Sequence, residues 1–418
     1  MLLLSVSTAM AFPGELKEKL QTSPGISDIG SLESDRFKEK YVLFMEQPLD
    51  HRHPEKGNFR QRIVVCHAGF DRPTVIVTEG YGGEYALNSR YQDELSSLFN
   101  TNIVFVEHRY FLKSTPEPLN WEYLTAENSA YDLHRVTTAM KRLYTGKWIS
   151  TGISKGGQTT IIYRTFFPDD VDISVPYVAP VCKAAEDGRH EPFLKKVSTK
   201  ENRKKILQYQ TEVLKRRSSL MPLFKKYCED KKLTFRIPLD EVYDYCVLEY
   251  PFAFWQWGTP VSHIPKGDAD NQTLFDHLLR ISEPSYFAEN QPTLSFFVQA
   301  ARELGYYGYD TEPLKKYLVL KSSKNYLQHV MLPEGVSVEF RPELYRKITS
   351  YLKKNDPRMI FVYGQNDPWT SAGITRLKGK KNVFIAIEPG GSHLARIHTL
   401  PEKIKKEVID RITRWLEE

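Results

Sequence analysis

A short glycine-rich turn between two patterned segments constrains the fold of this 418-residue chain more than any other feature. Residues 148–151 form an apolar run that indicates a strand, and a helical pattern continues from the turn to Phe167 and stops at Pro168. The turn itself reads Gly152-Ile153-Ser154-Lys155-Gly156. Side chains two positions before and after the serine would collide in so tight a turn, so glycine is required there. The sequence therefore predicts a strand, a sharp turn with Ser154 at its apex, and a helix.

The same alternation of strand and helix patterns extends over much of the chain. Short runs of β-branched and aromatic residues predict strands at 62–66, 74–78, 103–107, 173–178, 359–363 and 383–387. Helical patterns fall at 128–144, 342–353 and 401–416. Such alternation implies a mostly parallel sheet covered by helices on both faces, so the predicted fold class is α/β.

One long segment interrupts this alternation. Residues 185–332 are helical, charged and irregular in pattern, with aromatic clusters and no convincing succession of strands. We expect this segment to be a helical cap inserted into the sheet domain. The predicted sheet domain is thus split into a first part at 12–184 and a second part at 333–418.

The first residues resemble the end of a secretory signal. Residues 1–11 are apolar or small and end with Ala9 and Ala11 in the small-x-small pattern that signal peptidase needs. The basic segment that usually precedes such a stretch is missing, so a misassigned start site and a buried N-terminal helix are the alternatives. The favoured interpretation is a signal-peptide remnant on a secreted or periplasmic protein. No other stretch has the length needed to cross a bilayer, and stable membrane insertion is not expected.

The charge pattern does not favour a nucleic-acid partner. The net charge is +6, and basic residues concentrate between 195 and 232. Acidic and apolar residues interleave there at helical spacing, which is typical of a solvated helix face. We therefore predict no nucleic-acid binding.

The four cysteines allow one disulfide prediction. Cys228 and Cys246 lie close in sequence within one region, whereas Cys66 and Cys182 fall at probable strand ends. Free buried thiols are the alternative for the last two. No Cys-x-x-Cys or His-Glu-x-x-His spacing occurs, so the sequence predicts no metal site.

Two later residues complete a candidate catalytic triad with Ser154. A serine hydroxyl is a weak nucleophile until a base removes its proton, and this kind of turn is followed by an acid and then a histidine, each just after a later strand. Asp367 follows the predicted strand 359–363, and His393 follows the predicted strand 383–387. Taken singly, Asp367 could be a turn residue before proline and His393 a surface-loop histidine. The three residues together predict acyl-transfer chemistry.

Acyl transfer also needs donors for the negative oxygen that develops in the transition state. One predicted donor is the backbone N–H of Lys155, next to the serine. The second is expected in the loop at 79–83, after an early strand, from the N–H of Tyr81 or of Gly82. A flexible glycine turn is the alternative for this loop. The proposed chemistry needs no metal or organic cofactor.

With these motifs assigned, the chain resembles the prolyl tri/tetrapeptidyl aminopeptidase family of secreted bacterial serine peptidases. It is more distantly similar to the lysosomal prolylcarboxypeptidase and dipeptidyl-peptidase II group. The similarity is carried by residues 47–51, 58–62, 106–111, 114–116, 152–157, 249–252 and 303–307. Lys155 stands where the distant group typically has tyrosine, which favours the bacterial branch. The resemblance implies an α/β-hydrolase domain with a helical cap, and release of tri- or tetrapeptides by cleavage after proline near a free N-terminus.

Five residues of the predicted cap are candidates for substrate binding. Phe252, Trp255 and Trp257 could form flat apolar walls for a proline ring, and the alternative is ordinary cap core. Glu249 and Glu303 lie among aromatic residues, where a carboxylate needs a partner. A substrate ammonium would supply one, whereas an internal pair with Arg or Lys is the competing explanation.

The predicted function is therefore a serine exopeptidase that acts on peptides with proline near a free N-terminus, through an acyl-enzyme on Ser154. Two alternatives stay open. The same triad could serve an esterase or lipase, and the fold could be retained in a non-catalytic surface-binding protein.

Overall fold

The computed structural model describes residues 14–418 and contains, within them, one nine-stranded sheet. The predicted export signal at residues 1–11 lies outside the described residues. The strands are β1 (Ile26–Ser31), β2 (Glu39–Pro48), β3 (Asn58–His67), β4 (Thr74–Thr78), β5 (Asn102–Val106), β6 (Trp148–Ile153), β7 (Ile173–Tyr177), β8 (Met359–Gly364) and β9 (Val383–Glu388). Their order across the sheet is β1-β2-β3-β5-β4-β6-β7-β8-β9.

The sheet is antiparallel at one side and parallel across the rest. β1, β2, β3 and β5 pair antiparallel in that order, whereas the strands from β5 through β4 to β9 all run parallel. Parallel strands covered on both faces read as continuous apolar runs, and every residue of β4, β5, β7 and β8 is buried. The predicted α/β class with a mostly parallel sheet is confirmed.

The α-helices alternate with the strands and then dominate the region before β8. They are α1 (Glu15–Gln21), α2 (Glu94–Phe99), α3 (Ala126–Met140), α4 (Lys155–Phe166), α5 (His190–Leu194), α6 (Lys200–Lys215), α7 (Arg217–Asp230), α8 (Leu239–Gln256), α9 (Asn271–Ile281), α10 (Leu294–Gln299), α11 (Glu343–Lys354) and α12 (Glu402–Glu417). A π-helical turn, Ala300–Leu304, continues α10.

Helices cover both faces of the sheet. On one face, Leu95 of α2 and Trp415 of α12 pack with the strands in a single apolar cluster. On the other face, Leu16 of α1, Val136 of α3 and Tyr163 of α4 do the same. The strand ends are thereby held between two helical layers, which is the setting that fixes side chains at the edge of such a sheet.

The sequence prediction missed the first two strands and began the sheet at residue 62. β2 pairs with β3 along its whole length, from Glu39 opposite His67 to Pro48 opposite Asn58. Burial in β2 alternates along most of its length and polar residues interrupt its apolar run, because this part of the sheet is antiparallel and near the edge. His51 consequently follows a sheet strand.

Between β7 and β8 the described chain forms helices, turns and loops, and no strand. The last helix of this stretch, α11, packs on the sheet domain, where the Lys347 ammonium lies 3.6 Å from the centroid of the Phe166 ring at the end of α4. This contact supports placing α11 outside the cap, and we retain 185–332 as the proposed cap boundaries. Within residues 14–418, no helix combines the length and the apolar character needed to span a membrane.

The predicted disulfide between Cys228 and Cys246 is wrong. Cys228 lies on α7 and Cys246 on α8, and both are buried free thiols, as are Cys66 and Cys182. A disulfide needs the two β-carbons about 4 Å apart in a specific orientation, which closeness in sequence does not supply. The two side chains instead pack as small apolar groups in the cluster that fills the helical region.

Two polar residues of the segments that carried the family resemblance, His51 and Arg109, contact the buried carboxylate of Asp132 on α3. Arg109 donates from Nε to Oδ2 of Asp132 at 2.6 Å and from Nη2 to Oδ1 at 2.7 Å. Oδ1 of Asp132 also contacts Nε2 of His51 at 2.7 Å. Removing one partner of such a pair leaves a buried charge uncompensated, so these residues are structural.

Candidate active site

Ser154 lies at the turn between β6 and α4 in a backbone conformation that side chains rarely adopt. Its φ and ψ are +58° and −118°. The turn is held by the Ser154 N–H, which donates to the Tyr177 carbonyl at 2.9 Å, and by the Ser154 carbonyl, which accepts from the Gln158 N–H at 2.8 Å. In this strained conformation Ser154 lies at the apex of the turn and is partly exposed.

The glycines around Ser154 are required by close backbone contacts. A β-carbon on Gly152 would lie 2.4 Å from both the carbonyl carbon and the oxygen of Gly156. One on Gly157 would lie 2.6 Å from the Tyr177 carbonyl oxygen. The collision predicted from the sequence is thus a real feature of the turn.

His393 and Asp367 are hydrogen-bonded to each other. Nδ1 of His393 is 2.7 Å from Oδ2 of Asp367, and both side chains are buried. Asp367 follows β8 and also accepts the Trp369 N–H at 3.1 Å, while His393 follows β9. Because a carboxylate only accepts hydrogen bonds, Nδ1 carries a proton, and in the neutral imidazole the lone pair therefore lies on Nε2. Among the described residues, this Nε2 has no hydrogen-bond partner.

Ser154 and His393 line the same cavity, of about 910 Å³. The cavity opens at the carboxyl ends of the parallel strands, the usual ligand position in such sheets. One wall comes from the helical region before β8. The backbone N–H of His393 joins that wall, donating to the carbonyl of Gln256 at the end of α8 at 2.8 Å.

The loop after β4 is organised by a carboxylate that the sequence reasoning missed. Oε1 of Glu79 accepts from the N–H groups of Gly80 at 2.9 Å and Tyr81 at 3.0 Å, and Oε2 accepts the Tyr85 hydroxyl. The Tyr81 amide is therefore already engaged. Within residues 14–418, the Gly82 N–H has no hydrogen-bond acceptor.

The Lys155 side chain runs beneath this loop. A β-carbon on Gly80 would lie 2.7 Å from Cβ and Cγ of Lys155. The buried ammonium lies 5.8 Å from the centroid of the Tyr81 ring and 5.6 Å from that of Phe111. Burial lowers the pKa of Lys155 to about 7, opposed in part by the charges of Glu79 and Glu303. The Lys155 N–H begins α4, where backbone amides have no partner within the helix.

Glu249 lies in the wall of the same cavity and is bound by tyrosines. The Tyr307 hydroxyl lies 2.9 Å from both carboxylate oxygens, and the Tyr309 hydroxyl donates to Oε2 at 2.9 Å. Among the described residues, no Lys, Arg or His forms an ion pair with Glu249. Burial raises its pKa to about 8, although the tyrosine hydrogen bonds lower it.

Helix α8 separates the predicted binding residues onto two faces. One face lines the cavity with Ser154. It carries residues spaced by three or four positions, together with the residue that follows the helix, namely Glu249, Ala253, Gln256 and Trp257. Phe252 and Trp255 instead line a second cavity of about 400 Å³. A helical-spacing test on residues 249–257 could have distinguished the two sets.

The Trp257 ring packs edge-on against the imidazole of His393, and the two ring centroids are 5.9 Å apart. The Phe252 ring stacks on the Tyr307 ring, with the two centroids 3.6 Å apart, and so helps to position the tyrosine that is hydrogen-bonded to Glu249. Glu303 is not among the residues that line the cavity with Ser154. Its carboxylate accepts the Ala126 N–H at 2.6 Å, at the start of α3.

Within the described residues, no three His, Cys, Asp or Glu side chains are grouped as metal ligands would be.

The chain is similar to known proteins over nearly its whole length. A family model described as PS-10 peptidase S37 matches residues 11–417. The prolyl tri/tetrapeptidyl aminopeptidase of Streptomyces mobaraensis is 28% identical over 413 residues, covering 96% of this chain and 85% of the relative. The lysosomal Pro-X carboxypeptidase of Mus musculus is 20% identical over 449 residues, covering 94% of this chain and 90% of the relative.

Among solved structures, the proline iminopeptidase of Mycobacterium smegmatis is similar with a TM-score of 0.41 and 12% identity, covering 93% of this chain and 99% of that one. The predicted resemblance to the prolyl aminopeptidase family is confirmed by the sequence comparisons. Since the family match covers nearly all of the sequence, the chain belongs to the peptidase S37 family and is a serine peptidase.

Proposed function

We propose that this peptidase releases short peptides from a free N-terminus by cutting after proline, through an acyl-enzyme on Ser154. The observation that carries the proposal is one cavity with two features. Its wall includes Ser154 and His393, whose imidazole is hydrogen-bonded to Asp367, and it also includes Glu249, a buried carboxylate with no basic partner among the described residues. The name of the Streptomyces relative, a prolyl tri/tetrapeptidyl aminopeptidase, agrees with it.

The proposed mechanism assigns one role to each residue at the sheet edge. Nε2 of His393 takes the proton of the Ser154 hydroxyl as Oγ attacks the proline carbonyl, and then gives that proton to the leaving nitrogen as the C–N bond breaks. Asp367 holds the imidazole in the tautomer that leaves Nε2 free. A water molecule repeats the sequence on the acyl-enzyme and releases the peptide acid.

The oxyanion is proposed to accept hydrogen bonds from the Lys155 N–H and from the loop after β4. Of the two loop amides that we predicted, Gly82 is the better candidate. The Tyr81 amide already donates to Glu79, whereas the Gly82 amide has no acceptor among the described residues.

Glu249 is proposed to bind the substrate ammonium. The tyrosine hydroxyls around it can stabilise a negative charge but cannot neutralise it, and the α-ammonium of a peptide would do so. Aromatic side chains that line the same cavity suit the proline ring, and they include Phe296, Tyr306 and Trp369.

The geometry of α8 supports a release length of about three residues. Glu249 precedes Gln256 by seven positions, which corresponds to a rise of about 10 Å along an α-helix. We take this rise as a measure of the separation between the proposed ammonium site and the scissile bond, because the Gln256 carbonyl accepts the His393 N–H. An extended peptide spans about 3.4 Å per residue, so about three residues fit in that distance.

The test compares Ala-Ala-Pro-p-nitroanilide with its N-acetylated form and with a short-chain ester. We expect cleavage of the free-amine substrate alone at an appreciable rate, and loss of about six orders of magnitude in turnover for Ser154→Ala with the fold intact. Preference for the ester would favour an esterase. Failure of a fluorophosphonate to label Ser154 would favour a non-catalytic protein.

Export of the protein is proposed on the sequence of residues 1–11 alone. Expression of the full chain in a bacterial host, followed by fractionation and N-terminal sequencing, tests it. A product that stays in the cytosol with residues 1–11 attached would contradict export.

A further inference from the structure

Arg396 lies in the wall of the cavity beside the proposed general base. It follows His393 by three residues and lines the same cavity as Ser154. Nη1 of Arg396 donates to the carbonyl of His393 at 3.2 Å and to the carbonyl of Ala395 at 2.7 Å. The guanidinium carbon lies 5.6 Å from the centroid of the Tyr177 ring. The side chain is thus held in place by backbone carbonyls and an aromatic face.

Glu94, Asp93 and Asp367 act on the charge of this arginine from a distance, but none of the three is hydrogen-bonded to it. No Asp or Glu oxygen forms an ion pair with it, and its Nε and Nη2 make no hydrogen bond with a described residue. The nearby Glu94 is occupied, because it accepts from the Tyr177 hydroxyl at 2.7 Å and from the Ile397 N–H at 3.2 Å. A guanidinium has five N–H donors in a planar fork that matches a carboxylate. Among the described residues, acceptors are present only for the two on Nη1.

The position of Arg396 indicates which part of a substrate it would meet. The proposed general acid must deliver its proton to the leaving nitrogen, so the leaving fragment lies on the His393 side of the scissile bond. Glu249, on the wall formed by α8, would hold the other end of the substrate. Leu394, next to the histidine, is 53% exposed, so this side of the cavity is open to a leaving fragment.

We propose that Arg396 binds a carboxylate of the leaving fragment and thereby makes this peptidase selective for substrates that are acidic just beyond the cut. The inference rests on the proposed function. A carboxylate in that position would complete the hydrogen bonding of the free guanidinium donors. Two sources have the same chemistry, namely the C-terminal carboxylate of a short peptide and the side chain of an acidic residue after proline.

Kinetic selectivity tests the inference. Ala-Ala-Pro-Gly as the free acid is compared with its C-terminal amide, and Ala-Ala-Pro-Asp-Gly amide is compared with the Asn version. We expect the wild type to prefer at least one carboxylate substrate about tenfold in kcat/KM, mainly through KM. A preference within the first pair of substrates would identify the C-terminal carboxylate as the bound group, and a preference within the second pair would identify the acidic side chain.

Variants separate selectivity from general damage to the histidine loop. Arg396→Gln should abolish the ratio between acid and neutral substrates, Arg396→Lys should retain part of it, and the control Arg414→Gln, on the exposed surface of α12, should keep it. The ratio is measured within each variant, so an overall loss of activity does not mimic the effect. Equal ratios in wild type and Arg396→Gln would overturn the inference, as would no carboxylate preference in the wild type.

A binding measurement makes the result independent of turnover. Calorimetry on Ser154→Ala with intact Ala-Ala-Pro-Gly should give about tenfold tighter binding of the acid than of the amide, and the double variant Ser154→Ala/Arg396→Gln should bind both alike. Equal affinities with Arg396 present would overturn the inference. Failure of the proposed function shows itself separately, as failure of the wild type to cleave Ala-Ala-Pro-p-nitroanilide.

Discussion

Single residues at this site are constrained by contacts that the local sequence only partly reveals. The positions of Ser154, Asp367 and His393 just after strands were predictable, because each follows a strand-like run and parallel strands end at one edge of a sheet. The roles of Glu79 and Arg396 were not predictable, since they depend on which amides and carbonyls the folded loops bring near them. A sequence pattern therefore predicts residues whose position is determined by the end of a strand, and it misses residues whose contacts are determined by the conformation of a loop.

The first prediction concerns Gly152. We expect Gly152→Ala to destabilise the protein by at least about 2 kcal/mol, because its β-carbon would overlap the Gly156 backbone, which a side-chain rotation cannot relieve. Urea unfolding measures the effect. Gly188→Ala is the matched control, since nothing lies within 4 Å of a β-carbon there. Equal stability of the two variants would contradict the account of the turn.

The second prediction concerns the charge of Glu249. Its raised pKa, about 8, leaves the carboxyl group neutral at pH 6, and pairing with an ammonium requires it to ionise. The KM for a free-amine substrate should therefore fall by about tenfold per pH unit between pH 6 and 8. Glu249→Gln should show a higher KM that varies little with pH. Initial-rate kinetics across this range provide the measurement.

Stability gives an independent check on Glu249. Between pH 4.5 and about 8 the folded protein holds this proton while the unfolded chain has lost it, so the carboxyl group destabilises the fold progressively as pH rises. Glu249→Gln removes this dependence. Its thermal midpoint relative to wild type should rise from pH 5 to pH 8, and a constant difference would mean that the Glu249 pKa is not raised.

At the scale of elements, the parallel strands and the antiparallel strand β3 were predictable, whereas the antiparallel strands β1 and β2 were not. Strand 74–78 was predicted with the bounds that the structure shows, because both of its faces are buried and its sequence is a continuous run. β1 and β2 lack that signal. Helix α8 was recognised only as aromatic sequence, so the face that meets the cavity could not be assigned without its helical phase.

The loop after β4 allows a prediction at the same scale. We expect Glu79→Ala to lower kcat by about tenfold to a hundredfold with little change in KM, because the loop loses the carboxylate that fixes two of its amides. Glu79→Gln retains an oxygen acceptor and should recover most of the activity. Steady-state kinetics with Ala-Ala-Pro-p-nitroanilide distinguish these outcomes. If the glutamine variant is as slow as the alanine variant, charge and not loop positioning is the cause.

At the scale of the whole molecule, the cavity exists because a helical region from the middle of the chain covers the edge of a sheet built from both ends. The contact between the His393 N–H and the Gln256 carbonyl joins these two parts directly at the site. The sequence predicted that the sheet domain is split, because a long segment without strand patterns separates its two groups of predicted strands. It could not indicate how the helices lie over the sheet, because that depends on packing between distant segments.

The last prediction uses the four cysteines, which are distributed through the apolar clusters of the molecule. Burial raises the pKa of Cys66 to about 12 and that of Cys228 to about 11, so thiolate is scarce in the native state and alkylation should be slow. Unfolding in guanidinium without reductant should expose all four thiols to a maleimide, counted by intact mass. Only two labels before reduction and four after it would show that a disulfide is present after all. The thermal midpoint should also be the same with and without reductant, since no bond that closes a loop would be lost.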